Sequence, residues 1–247
     1  MTTEQFPPGA PRWFTLGAED QERAAEFYRS VFGWTVADTH GGTHFMLGSR
    51  PVASVRPVGD DSPAGWVPWL EVVDVDDALD RAKAFGATLV RRTPDGRGAL
   101  VADPGGAVFG MGSPPNTSAE HVFGETDSVF WIEAKVEDHC PDVALFSDLF
   151  DYEFLAPKGP GKVEVFRIDG RGYGGVMSFD ERWDGHREPH WLLYMDVESV
   201  DAMVERATAA GGSVWFAPFD TPIGRIAYLR DTEGNPFAVT QKFAPPA

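Results

Sequence analysis

The chain has 247 residues and a formal charge of −17, from 21 Lys and Arg against 38 Asp and Glu. With no basic run to offset that balance, it argues against nucleic acid as a partner, since phosphate backbones are held by clustered cations. No apolar run is long enough to span a bilayer, and a single cysteine, Cys140, rules out an intramolecular disulfide. A hydrophobic content of 43% supports packed cores rather than disorder. Residues 1 to 12 lack the basic start and apolar stretch of a signal peptide, so a cytoplasmic location is expected.

After a Pro-rich entry, Trp13–Trp34 reads as a strand, an acidic cap at Asp20, an amphipathic helix and a loop. Ala24, Phe27, Tyr28, Val31 and Phe32 line one helical face, which must be covered. Strands follow near Trp34–Thr39, His44–Leu47 and Val52–Pro57, the first two joined by a Gly41–Gly42 turn. Gly59–Gly65 is a loop. A second strand-helix-three-strand repeat begins at Trp66–Val73. Its helix carries Val75, Ala78, Leu79 and Ala82 on one face and stops at Gly86. Its strands are Thr88–Arg91, Ala99–Ala102 and Ala107–Met111, the last two joined by a tight turn at Asp103-Pro-Gly-Gly.

Ser113–Asp127 has the Pro, Ser and polar content of a linker, and then the pattern restarts. Trp131–Tyr152 repeats the opening stretch, with an acidic cap expected at Asp138 and Leu145, Phe146, Leu149 and Phe150 in place of Phe27, Tyr28, Val31 and Phe32. Cys140 stands beside His139, which could lower a thiol pKa, but its place just ahead of Pro141 reads as an ordinary helix start. Strands near Tyr152–Leu155, Val163–Ile168 and Gly174–Ser178 and a long polar loop to Pro189 complete the third repeat. A fourth begins at His190–Met195. Its helix sets Val200, Met203, Val204 and Ala207 against the apolar set of the second, Gly211 matches Gly86, and the stretch Gly224–Ala238 echoes Gly96–Gly110. The chain is thus α+β, with four βαβββ repeats paired into two tandem domains, residues 8–113 and 128–243, joined by a linker at 114–127.

Phe27-Tyr28 with Phe32-Gly33-Trp34, the helix entry Val73–Asp76, Gly86 and the Asp103-Pro-Gly-Gly turn together resemble the vicinal oxygen chelate (VOC) superfamily. That superfamily includes glyoxalase I, extradiol dioxygenases and the fosfomycin and bleomycin resistance proteins. The likeness covers nearly the whole chain. It is similar, more narrowly, to two-domain glyoxalase-like proteins of high-GC bacteria, some of them hydroxylases of antibiotic pathways. The resemblance implies curved mixed sheets that form clefts. The fold hosts lyases, isomerases, dioxygenases and simple binders, so it does not by itself choose the chemistry.

Superfamily members that use metal take it from first and last strands through His, Gln or Glu. The resemblance sets Trp13 and Trp131 at first-strand positions, Val67 or Pro68 in the second repeat, and Gly110 and Ala238 at last-strand positions. Only His190 offers a donor, and one donor is not a site. No metal and no cofactor are therefore expected. What remains is a pocket walled by aromatic side chains, with Trp13, Trp69, Trp131 and Tyr194 as candidate ligand contacts. Strand alternation puts Glu133 and Lys135 on the face of Trp131, and Tyr194 on that of His190. Glu133 and His190 are the candidate acid–base pair.

The expected function is binding of a small, partly apolar or aromatic metabolite or antibiotic by a monomer or homodimer. A metal-independent lyase, isomerase or hydroxylase component using Glu133 and His190 is the alternative. A metal-dependent glyoxalase-like lyase or dioxygenase is a further one, and a protein-interaction module would need an exposed apolar patch.

Overall fold

A computed structural model describes residues 6–39, 42–59, 62–113, 122–155, 163–183, 186–221 and 223–243. Gly41, part of the Gly59–Gly65 loop and residues 114–121 of the expected linker lie outside the described residues. The first repeat holds β1 (Pro11–Ala18), α1 (Gln21–Phe32), β2 (Thr35–Thr39), β3 (Gly42–Leu47) and β4 (Arg50–Pro57). The second holds β5 (Gly65–Leu70), α2 (Val75–Ala84), β6 (Thr88–Arg92), β7 (Gly98–Ala102) and β8 (Val108–Gly112). The third holds β9 (Val129–Val136), α3 (Cys140–Phe150), β10 (Glu153–Leu155), β11 (Val163–Ile168) and β12 (Arg171–Ser178), followed by a 3-10 turn at Glu181–Trp183. The fourth holds β13 (His190–Asp196), α4 (Val200–Ala209), β14 (Ser213–Thr221), β15 (Gly224–Arg230) and β16 (Pro236–Lys242).

The strands form two eight-stranded sheets, ordered β2-β3-β4-β1-β5-β8-β7-β6 and β10-β11-β12-β9-β13-β16-β15-β14. Both are mixed: β1 runs parallel to β4, β5 to β8, β9 to β12 and β13 to β16, while the hairpins are antiparallel. The same order in both sheets is the structural face of the duplication.

Local chemistry explains the helix ends. Asp20 caps α1 by accepting the Arg23 N–H, and Gly33, at φ 72°, takes the left-handed position that closes it. Asp74 and Ser199 cap α2 and α4. The α3 start differs from the expected Asp138 cap. His139 occupies the cap position without a side-chain cap bond, and Asp138 accepts the Cys140 N–H from one residue earlier. Pro141 in the first turn has no N–H to be capped, so the usual demand on this position is relaxed. The apolar faces fall as the periodicity requires. Ala24, Ala25, Phe27, Tyr28, Val31 and Phe32 are buried on α1, and Leu145, Phe146, Leu149 and Phe150 on α3, where Asp142 is buried among them.

Contacts gather the chain into two compact units. The first comprises Met1–Phe14, Val67–Ala119 and Ile132–Trp191, and the second Thr15–Trp66, Glu120–Trp131 and Leu192–Ala247. Within the first, α2 packs with α3, and Phe146 meets Phe109 and Trp191 edge-on at ring separations of 5.5 and 5.8 Å. Within the second, α1 packs with α4, and Tyr28 is surrounded by Phe32, Trp34, Phe45, Trp66 and Phe237.

Candidate functional site

Glu133 and Lys135 lie on one face of β9, opposite the fully buried Ile132 and Ala134. Lys135 is 0% exposed, and its ammonium donates to Glu133 Oε2. It also lies 3.5 Å from Met177 Sδ, on the neighbouring β12, and 5.2 Å from the centre of the Trp183 ring. Taking an ammonium wholly out of water is costly, and here a carboxylate and the face of an indole offset the loss. The Glu133 side chain keeps 9% of its surface exposed, so Glu133 is the member of the pair that meets solvent.

Trp183 comes from the 3-10 turn and is 1% exposed. Phe179 packs against it at 5.7 Å, and His190 at the start of β13 packs against both, at 6.1 Å from Phe179 and 6.0 Å from Trp183. His190 Nδ1 is 2.8 Å from the Glu188 carbonyl, a bond in which the ring nitrogen donates. Neutral His190 then carries its acceptor at Nε2, which is buried. Arg182 holds the Asp180 carboxyl below its usual range, with Lys135 adding to the effect from further away.

Glu133 was expected to stand with His190. The structure gives the carboxylate a buried cation, Lys135, and seats His190 on Trp183, so Trp183 meets the Lys135 ammonium on one hand and the His190 ring on the other. Alternation along the strand already placed Lys135 beside Glu133, but not its burial. Trp183 was hidden inside a polar loop, where a lone tryptophan was the only signal. The constellation offers a carboxylate acceptor, an imidazole acceptor and an aromatic wall.

The second unit presents an aromatic face of its own. Tyr194 on β13 and Tyr228 on β15 bring their hydroxyls to 3.1 Å, and Phe216 and Phe219 of β14 set their rings edge-on to Tyr228 at 5.3 and 5.7 Å. Trp131, half-buried, also belongs to this unit. Trp13 and Trp69 lie in the first unit, 0% and 3% exposed, in a cluster with Val67 and Leu100.

The positions at which the superfamily carries metal can be tested for fit. Gly110 pairs with Trp69, and a Cβ at Gly110 would meet that indole at 2.1 Å, so the ring fills the room a ligand side chain would need. Ala238 pairs with Tyr194 and with Tyr228. With Trp13 and Trp131 on the first strands and no donor at Val67 or Pro68, the residues present do not fit a divalent cation at these positions.

Residues 13–111 match the family described as glyoxalase-like domain, and residues 132–239 the glyoxalase/bleomycin resistance protein/dioxygenase superfamily. The chain is 32% identical to the anthracycline biosynthesis protein DauV of Streptomyces sp. strain C5, over 96% of this chain and 94% of that one. It is 30% identical to the putative glyoxylase CFP32 of Mycobacterium bovis, over 95% of each chain. Among solved structures, the Mn(II)-bound glyoxalase from Novosphingobium aromaticivorans aligns with a TM-score of 0.67 at 17% identity, covering 96% of this chain and 83% of that one. The 2,3-dioxygenase LapB from Pseudomonas sp. KL28 aligns with a TM-score of 0.65 at 14% identity, covering 98% and 96%. The chain belongs to the VOC superfamily, as a member with two tandem domains. Among the described residues no helix is long and apolar enough to cross a membrane.

Proposed function

We propose that this protein binds a small, flat, partly apolar aromatic metabolite or antibiotic without a divalent metal at the superfamily's usual positions. The observation that carries this reading is the replacement of ligand positions by aromatic space: Trp69 over Gly110, and Tyr194 and Tyr228 beside Ala238. Relatives named for anthracycline biosynthesis support a polycyclic aromatic ligand class. The single cysteine fits a reducing, cytoplasmic compartment, and we take the working form to be a monomer or homodimer.

The test is titration with 1,8-dihydroxyanthraquinone, followed by tryptophan fluorescence and calorimetry. Saturable quenching is expected, with a Kd of about 1–100 µM, weakened in Tyr194→Ala and Trp131→Ala. No quenching by this or other polycyclic phenols would sink the reading. A bound metal that persists in Cys140→Ser but leaves in His190→Ala would instead bring the metal-dependent lyase or dioxygenase forward.

A second reading, a metal-independent lyase, isomerase or hydroxylase component, is favoured by one observation. Glu133 is kept as a buried ion pair while His190 holds an acceptor nitrogen on the same tryptophan. It predicts that His190→Gln abolishes turnover of a bound ligand with the melting temperature unchanged, and that Glu133→Gln abolishes it while lowering the melting temperature, because buried Lys135 loses its counter-charge.

A further inference from the structure

Where β9 hands over to α3, an Asp138 carboxylate oxygen, a His139 ring nitrogen and the Cys140 sulfur lie within 4.8 Å of one another. Among the described residues this is the one place where three such donors converge. Glu164 of β11 adds a fourth from a distant part of the chain, its Oε1 lying 4.0 Å from His139 Nε2. A local helix start cannot account for that arrival from another strand.

The histidine is held from outside the donor set. Ser178 Oγ, at the end of β12, accepts the His139 backbone N–H at 3.0 Å and lies 2.7 Å from Nδ1. With Nδ1 occupied there, Nε2 is the nitrogen that faces Glu164. An outer partner on one ring nitrogen that fixes the orientation of the other is the usual support of a metal-binding imidazole.

We propose that Asp138, His139, Cys140 and Glu164 form a site for a thiophilic divalent cation, with zinc the best fit, away from the superfamily's metal positions. Calcium and magnesium take oxygen donors, whereas one sulfur, one nitrogen and two carboxylates match zinc. A bound cation takes the place of the Cys140 thiol proton, which leaves to solvent.

The experiment uses the full chain, stripped with chelator and titrated with zinc chloride by calorimetry. Cys140 is the only cysteine, so its reaction with a disulfide reagent reports on this site alone. One equivalent of zinc is expected to bind and to slow thiol labelling about tenfold or more. His139→Ala and Cys140→Ser should each weaken binding by at least about tenfold, and Ser178→Ala, which removes no donor, by about tenfold. Cys140 and Asp138 are exposed and His139 half-exposed, so folding is checked by the unchanged melting curve of each zinc-free variant. Absence of zinc binding, binding unaltered by His139→Ala and Cys140→Ser, or labelling unchanged by zinc would each overturn the proposal.

Discussion

The two compact units solve one problem in two ways. In each, a turn aspartate meets a helix bearing an aromatic residue and a strand bearing a tryptophan. In the second unit, the Trp66 indole N–H donates to the Tyr28 hydroxyl at 2.9 Å, and Tyr28 donates to Asp231 at 3.2 Å. Asp231 also accepts from the Asn235 side chain and from the Glu233 and Asn235 backbone. In the first unit the repeat puts Trp191, Phe146 and Asp103 at these places. Phe146 has no hydroxyl, and Trp191 Nε1 is buried without a hydrogen-bond partner among the described residues. Asp103, which accepts the Ala107 N–H at 2.8 Å, faces Asp142 of α3, itself accepting the Gly105 N–H at 3.2 Å.

Two buried carboxyls can face each other only if one keeps a proton. Burial pushes Asp103 well above the usual range, with the Asp142 charge adding to it, and burial raises Asp142 too, with Asp138 contributing. A phenol donor serves the second unit, whereas in the first the two raised carboxyls imply a retained proton. The lesson is that one turn can be kept through duplication while the group that satisfies it changes.

The largest expected effect comes from breaking the second unit's relay. Tyr28→Phe leaves the Trp66 N–H without its acceptor and removes a donor from buried Asp231. It should cost about 2–4 kcal/mol of stability in urea unfolding, roughly 1–3 for the Trp66 N–H left unsatisfied and about 1 for the lost bond to Asp231, which keeps its other donors. A loss under about 1 kcal/mol would mean that water repairs the gap.

The next effect distinguishes the units by pH. A carboxyl raised in the folded state binds a proton that the unfolded chain has already released. Its contribution is whole below the ordinary aspartate range, near about 4, and is lost as pH rises through the folded titration. Asp103→Asn mimics the protonated acid and keeps a donor toward Asp142. Unfolding measured between pH 4 and 9 should therefore show a shallower fall toward high pH than the parent, on the order of 1 kcal/mol more stable at the alkaline end. Asp231, also raised by burial though more modestly, should leave a residual slope. An unchanged pH profile would refute the shared proton.

The smallest and sharpest test transplants one solution into the other unit. Phe146→Tyr supplies an acceptor to Trp191 and a donor to Asp103, and should stabilise the chain by about 1 kcal/mol. Destabilisation by more than that would show that the first unit's packing has closed over the space a hydroxyl needs.

The candidate site was legible to different depths. Glu133 and Lys135 follow from strand alternation, because a period of two puts them on one face wherever the strand lies. Trp13 and Trp69 could be placed on strands, but their burial with Val67 and Leu100 depends on neighbours the strands alone do not name. Trp183 sits in a turn with no periodicity to read, and the Glu164 carboxylate reaches His139 only because β11 returns beside β12.

By itself the sequence determined the fourfold repeat, the helix faces and the Asp20 helix cap. These depend on residues a few places apart, where helix and strand periods and cap chemistry act. Only the tertiary structure decided that Lys135 is buried against Trp183, that Asp103 and Asp142 are buried together with both carboxyls raised, and that Tyr28 serves Asp231 across a separation of 203 residues. Contacts at that range depend on which surfaces close over one another and exclude water, and no local pattern records that choice.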